Sequence, residues 1–345
     1  MRPLSVDADA GAPPTDPSPG SATREALGKV GTGMLRSPYL SAGTAVLVLV
    51  VIMSFSSQFF LTEANGVALI YTVSIVALLA IGETIVLISG GVDLSAGSVL
   101  GLSGMLSAFL ITTEHVSALL AILVCLGVGL VTGLVNGLAI AFIKVSPFIV
   151  TLATGSVATG LTLVISQGST IQVTSGAFNW LGGTAVHTIP VLFFIILVLF
   201  ALFEFGLRRT VVGRELFALG GNPKSAVLAG ISRHKIQIGT YSLAGLLYGV
   251  AGLAQVGILS AATSSAGSDD LLTPIAAAVI GGVSLFGGEG SVLAAGLGII
   301  VIGVISDGLV LLNISTFYTQ IVYGVVVFIA VLLDSGRRAL ERRRA

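Results

Sequence analysis

Charge is what this sequence has least of. Asp, Glu, Lys and Arg make up 9% of its 345 residues, against roughly 25% in a soluble globular domain, so a water-facing surface cannot be built around the whole chain. Cysteine occurs once, as Cys125 in the apolar run 119–130. An intrachain disulfide is therefore excluded, and the thiol reads as a packing group. One cysteine and three well-separated histidines (His115, His187, His234) give no zinc or haem spacing. The chain has no G-x-x-x-x-G-K-[ST] phosphate loop, so no cofactor is expected on it. No Lys or Arg interrupts any of its long apolar segments.

What is present is hydrocarbon and glycine. Hydrophobic residues make up 54% and glycines number 45, and the mean hydropathy is +1.05. That composition describes a polytopic membrane protein, in which small residues let helices approach closely. A bilayer core takes about 20 apolar residues of helix, and candidate spans fall near 40–60, 66–89, 94–112, 117–143, 148–166, 189–207, 236–257, 271–285, 291–312 and 316–334. Of the 16 basic residues, four precede the first span (Arg2, Arg24, Lys29, Arg36), one is Lys144, six lie in 208–235, and five close the chain from Arg337. Cytoplasmic loops collect Lys and Arg. Starting inside and alternating leaves Glu63, Glu114, Asp269 and Asp270 in outer loops with no basic residue.

Both basic ends on one side require an even number of crossings. The segment 271–285, short and broken by Pro274 and the Gly281–Gly282 pair, must then cross as a discontinuous or tilted helix. The expected fold is all-α, with about ten transmembrane helices over 38–335. Residues 1–37, rich in Pro, Gly, Ala and acids, are expected to be a disordered cytoplasmic tail and not a signal peptide. Residues 336–345 are expected to be a basic cytoplasmic tail. The polar stretch 167–188 on the outside is either a surface loop with Trp180 at the membrane interface or a docking element.

Gly129, Gly133 and Gly137 form small-xxx-small steps, as do Gly245 and Gly249, and read as packing seams. Polar groups within the spans are candidates for a solute path: Glu83, Asn136, Thr151, Thr154, Thr159 and Asp307. The competing reading is that the threonines bond to backbone carbonyls and the carboxylates serve helix assembly. An Asp at mid-helix costs about 2.5–3.5 kcal/mol on insertion. Asp93 reads as a helix cap. The stretch GGVDLSAGSVLGLSG (90–104) is echoed by GGVSLFGGEGSVLAAG (281–296), and repeated Gly-rich broken helices commonly flank a transporter's central site.

The basic segment 208–235 contains GGNP, from Gly220 and Gly221 through Asn222 to Pro223, which is strong turn chemistry. Pro223 is placed to open a short helix, with Ala226, Leu228 and Ile231 as its apolar residues and Gly230 just beyond. Such a helix either presses on a partner or lies on membrane lipid.

The stretches GETIVLISGGVDLSAGS (82–98), NGLAIAFIKVSPFIVTLAT (136–154), GRELFALGGNPKSAVLAGI (213–231) and AAAVIGGVSLFGGEGSVLAAGLG (276–298) resemble the inner-membrane permeases of ribose/xylose-type ABC sugar importers, in matching order. The resemblance runs from about residue 40 to 334. It implies a permease subunit in a bacterial cytoplasmic membrane with both termini cytoplasmic. It further implies a second permease copy (homo- or heterodimer), a cytoplasmic ATPase that uses the ATP, an extracytoplasmic solute-binding protein, and no nucleic acid. It also implies a coupling helix at Gly220, Gly221, Asn222, Pro223, Ala226, Leu228, Gly230 and Ile231. The family's Glu-Ala-Ala-xxx-Gly coupling pattern falls here on Lys224, Ser225, Ala226 and Gly230, so the acidic and first alanine positions depart from it. Within the resemblance, the alternative is a nucleoside or amino-acid permease of the same superfamily; on the residues alone, it is a proton-coupled secondary transporter using Glu83 or Asp307.

Overall fold

The computed structural model describes residues 38–268, 270–315, 318–325, 328–329 and 332. Its helices are α1 (Pro38–Ser56), α2 (Glu63–Ile88), α3 (Ala96–Thr112), α4 (Ala118–Leu138, with one π turn over Ala139–Ile143), α5 (Pro147–Ser166), α6 (Gly176–Asn179), α7 (Val191–Arg209), α8 (Val211–Gly221), α9 (Pro223–Leu228), α10 (Arg233–Leu259), α11 (Thr273–Ile280) and α12 (Val292–Leu311). Four two- or three-residue strands complete them: β1 (Ile171–Gln172) pairs antiparallel with β4 (Ala261–Ala262), and β2 (Thr184–Val186) with β3 (Ile189–Pro190). Residues 318–325 are again helical. The expected tails, Asp269 and part of the last expected span lie outside the described residues.

Among the described residues, seven helices are long and apolar enough to cross a membrane. With the shorter α3 and α11 counted between them, successive crossings alternate in direction. Glu63, at the start of α2, accepts from Thr188 in the β2–β3 turn, and Thr112, at the end of α3, donates to the Gln172 carbonyl. These mark a β face. At the opposite end, Phe142 stacks on His234 at 5.1 Å, and Tyr39 donates to Ser291. That end carries α8 and α9 and every described Lys and Arg.

Two crossings are irregular. The chain after α2 turns back into the bundle over residues 89–95 before α3 begins. After β4, the chain descends beside α3, where a Cβ at Gly101 would overlap the Ala266 carbonyl oxygen and one at Gly97 that of Gly267. Asp270 reaches this depth too, 3.1 Å from that same Cβ position. It is therefore packed against the start of α3 and not in an outer loop. Helix α11 has eight residues, about 12 Å of rise, far short of a bilayer core of about 30 Å. The crossing is completed by the run of turns before it. Irregular backbone at that depth is tolerated where protein surrounds it.

The echoed glycines close both irregular elements. Gly90 (φ +82°) and Gly282 (φ +86°) each occupy the left-handed residue after a helix. Each is fixed by a 5→2 and a 6→1 backbone bond: Gly90 to Leu87 and Gly91 to Val86, then Gly282 to Val279 and Val283 to Ala278. This Schellman ending favours glycine because a Cβ is penalised there. The two devices are offset by one residue from the alignment of the echo. The two loops also touch: the Gly288 N–H donates to the Ile88 carbonyl at 2.9 Å.

The glycine seams of α4 and α10 meet each other. A Cβ on Gly129 would overlap the Gly245 carbonyl oxygen, and one on Gly133 that of Tyr241. Cys125 lies in the same seam, its thiol donating to the Gly249 carbonyl at 3.3 Å. The segment 167–190 folds over the β face. Phe178 is fully buried there and Leu181 nearly so, the Tyr71 hydroxyl donates to the Gly182 carbonyl, and Trp180 stays exposed.

Candidate functional site

Four of the candidate polar residues converge on the 89–95 loop. Glu83 is fully buried in α2; its carboxylate accepts from the Asp93 backbone N–H at 3.2 Å and the Tyr248 hydroxyl at 3.4 Å. Asp93 accepts from the Ser95 N–H at 2.8 Å and from the Ser95 hydroxyl. Asn136 of α4 donates to that Ser95 oxygen at 3.1 Å and accepts from Thr154 of α5 at 2.8 Å. The Leu94 N–H donates to Thr151 at 3.1 Å, and Tyr241 of α10 donates to the Val92 carbonyl at 3.1 Å. One short loop is thereby tied to α2, α4, α5 and α10. Its backbone donors, left without a helix, are satisfied by side chains, as a buried backbone requires. Asp93 Oδ2, also buried, has no partner among the described residues.

The threonines of α5 divide. Thr151 and Thr162 donate to carbonyls four residues earlier, whereas Thr154 gives its proton to Asn136. Thr159 instead donates to Ser98 of α3 at 3.0 Å, on the exposed side of α5. Asp307 stands apart from the other candidates. It accepts from Asn65 at 2.8 Å near the β face, beside the Met53–Phe60–Val304 cluster. Asn65 carried no signal in the sequence as its partner, because 242 residues separate them.

A second cluster escaped the sequence reading. Glu204 of α7 caps α12: its Oε2 accepts from the Ser291 hydroxyl at 3.0 Å and the Val292 N–H at 2.9 Å, where a carboxylate also complements the helix dipole. Its Oε1 pairs with Arg208 at 3.0 Å, and Arg208 also donates to the Gly290 carbonyl at 3.1 Å. Glu204 sits one turn before Arg208, and that i,i+4 spacing was the available clue.

The segment 208–235 forms α8 and α9. Thr210 caps α8 and Asn222 caps α9, the latter accepting from the Ser225 N–H at 3.1 Å, with Pro223 in the first turn. Gly220 and Gly221 end α8 and do not form a free turn. A Cβ on Gly220 would overlap the Ile88 carbonyl oxygen, so the approach of α8 to the 89–95 and 281–291 loops depends on it. Helix α9 closes with Gly230 at φ +86°, bonded to Val227, and the Ile231 N–H bonded to Ala226. Gly230 is thus held by backbone conformation, and a Cβ there meets open space. Ala226 and Ile231 face the bundle, whereas Val227 is 51% and Leu228 88% exposed. The apolar residues that face outward are Val227 and Leu228; Ile231 is packed inward.

A bundle with two broken crossings, a loop held at depth by side chains and a capped helix projecting from one face defines a polytopic permease-type membrane protein. The chain belongs to the family described as branched-chain amino acid transport system / permease component, which matches residues 65–331. It is 37% identical over 298 residues to the ribose import permease protein of Escherichia coli (strain K12), covering 85% of this chain and 92% of that one. The Bacillus subtilis (strain 168) ribose import permease protein is 40% identical over 296 residues, covering 85% and 92%. The L-arabinose ABC transporter permease protein of Azospirillum brasilense is 35% identical over 333 residues, covering 96% of each chain. No solved structure is significantly similar.

Proposed function

We propose that this chain is the membrane subunit of an ABC importer that carries a monosaccharide of the ribose/xylose class across a bacterial cytoplasmic membrane. The observation that carries this is the similarity, over 85–96% of the chain, to permeases named for ribose and arabinose. A third relative, at 33% identity over 288 residues, is named for D-allose. The described spans carry Lys and Arg only at their ends on the α8–α9 side, and an apolar middle without basic groups suits a neutral polyol, since an anionic solute needs a counter-charge.

In this reading the α8–α9 face and both termini are cytoplasmic. Val227 and Leu228 dock an ATPase that supplies the work, and a solute-binding protein delivers sugar to the β face. A second permease copy stands against the exposed side of α5. Thr159 and Ser98 there line the path between copies, while Glu83, Asn136, Thr151 and Thr154 position the 89–95 loop beside it. The complex, reconstituted with its binding protein, should take up labelled ribose, xylose, arabinose or allose in an ATP-dependent manner. Preference for an anionic cargo, or uptake driven by a proton gradient without ATPase, would sink the reading. In a Cys125→Ser background, single cysteines at Glu114 and Ser175 should react with an impermeant thiol reagent on whole cells, and one at Lys224 should not.

A further inference from the structure

A groove of about 460 Å³ opens on the side of the bundle between α7, α8 and α10. Its walls include Leu202 and Gly206 from α7, Val212 from α8, and Gly239 and Leu243 from α10, with Lys235 at one end. Leu202 to Arg209 along α7, and Leu243 to Lys235 along α10, are about 10–12 Å of helix at 1.5 Å per residue. The groove therefore reaches about a third of the way into a hydrocarbon core of about 30 Å and ends at the level of the basic residues.

Two features set it apart from ordinary bundle surface. Gly206 and Gly239 have nothing within 4 Å of where a Cβ would sit, unlike Gly133, whose Cβ would overlap the facing helix. These glycines widen the groove without serving helix contact. The charged residue in its wall, Lys235, is basic, and further basic residues lie on the same helices. Lys235, Arg209 and Arg233 are exposed. The acid Glu204 is occupied by Arg208 and the start of α12, which leaves Glu215 of α8 as the remaining carboxylate on these three elements.

We propose that the groove binds an acyl chain of an anionic phospholipid, with the headgroup phosphate held by Lys235 and Arg209. An apolar slot ending in basic groups at the headgroup level matches both parts of such a lipid. The floor of the slot is α8, which carries α9, so an occupied groove braces the segment that projects from the bundle.

The test uses the full chain purified in detergent, with native mass spectrometry in the presence of phosphatidylglycerol or phosphatidylcholine of the same acyl composition. Phosphatidylglycerol should be retained preferentially. Lys235→Ala should bind it about fivefold more weakly, as loss of one basic residue near a headgroup implies. Gly206→Leu and Gly239→Leu, at groove positions where a Cβ meets nothing within 4 Å, should lose it while eluting as folded protein. Equal retention of both lipids, unchanged by Lys235→Ala, would overturn the claim of anionic selection. Undiminished binding in both leucine variants would overturn the site. If those variants keep the lipid but lose self-association or ATPase co-purification, the groove is a protein interface and the proposal fails. None of these readouts requires sugar uptake, so a failure here is distinguishable from a failure of the transport reading.

Discussion

Helices α2 and α10 contrast with α5 and α7, though hydropathy alone barely separates the four. The most apolar 18-residue windows of α2 and α10 are 67% and 61% buried, against 28% and 17% for α5 and α7. Both inner helices also place polar side chains in the protein interior, Glu83 in α2 and Tyr241 and Tyr248 in α10, each bonded to a partner. The outer helices present Leu152, Val157, Leu197 and Val198 to the outside. Lipid is as apolar as leucine, so hydrophobicity does not decide which helix is central. Close backbone approach and satisfied polar groups do.

The largest effect should come from breaking that approach. Gly133→Leu forces α4 off the Tyr241 carbonyl, and overpacking of this kind should cost about 3 kcal/mol and abolish monodisperse protein. Gly127→Leu, on the same helix with nothing within 4 Å, should elute as wild type. If both behave alike, the seam is not what holds α4 to α10.

Next is the carboxylate network. Glu83→Ala leaves the buried Asp93 N–H and Tyr248 hydroxyl unpaired and should lower stability by about 1–3 kcal/mol, read as a fall in melting temperature. Glu83→Gln keeps an acceptor and should cost less. Asp307→Asn, which keeps an acceptor oxygen for the half-buried Asn65, should change stability by less than about 1 kcal/mol. Equal losses at positions 83 and 307 would erase the distinction between the centre of the bundle and its edge.

Gly230→Ala tests the projecting helix. A Cβ in the left-handed region costs about 1–2 kcal/mol, confined to the last turn of α9. Membrane insertion should be unchanged and ATPase co-purification reduced. Smallest in stability is Leu228→Ser, at a residue that touches little of its own chain; the melting temperature should stay put while hydrolysis uncouples from uptake. Wild-type coupling in Leu228→Ser would remove Leu228 as an anchor.

The glycine spacings at 129–137 and 245–249 were legible as seams, but not that they meet each other. The segment 220–231 was legible as a turn followed by a short helix opened by Pro223, because both signals act within one turn; the Asn222 cap was not read. The inward side of Ile231 was not, since six residues are too few to show a periodic face. Glu83 and Asp307 carried the same signal in sequence, a carboxylate in an apolar run, yet one anchors a loop at the centre and the other meets Asn65 at the edge.

The sequence by itself determined that the chain enters a membrane, about how often it crosses, and where its basic face lies, because hydropathy and charge are sums over local residues. Only the tertiary structure decided which helices are central, that a run of turns after β4 leads down to the two-turn α11, and that the echoed glycine loops and α8 converge on the Ile88 carbonyl. Those outcomes depend on which backbones can approach within contact distance, and that is a property of pairs of segments far apart in the chain.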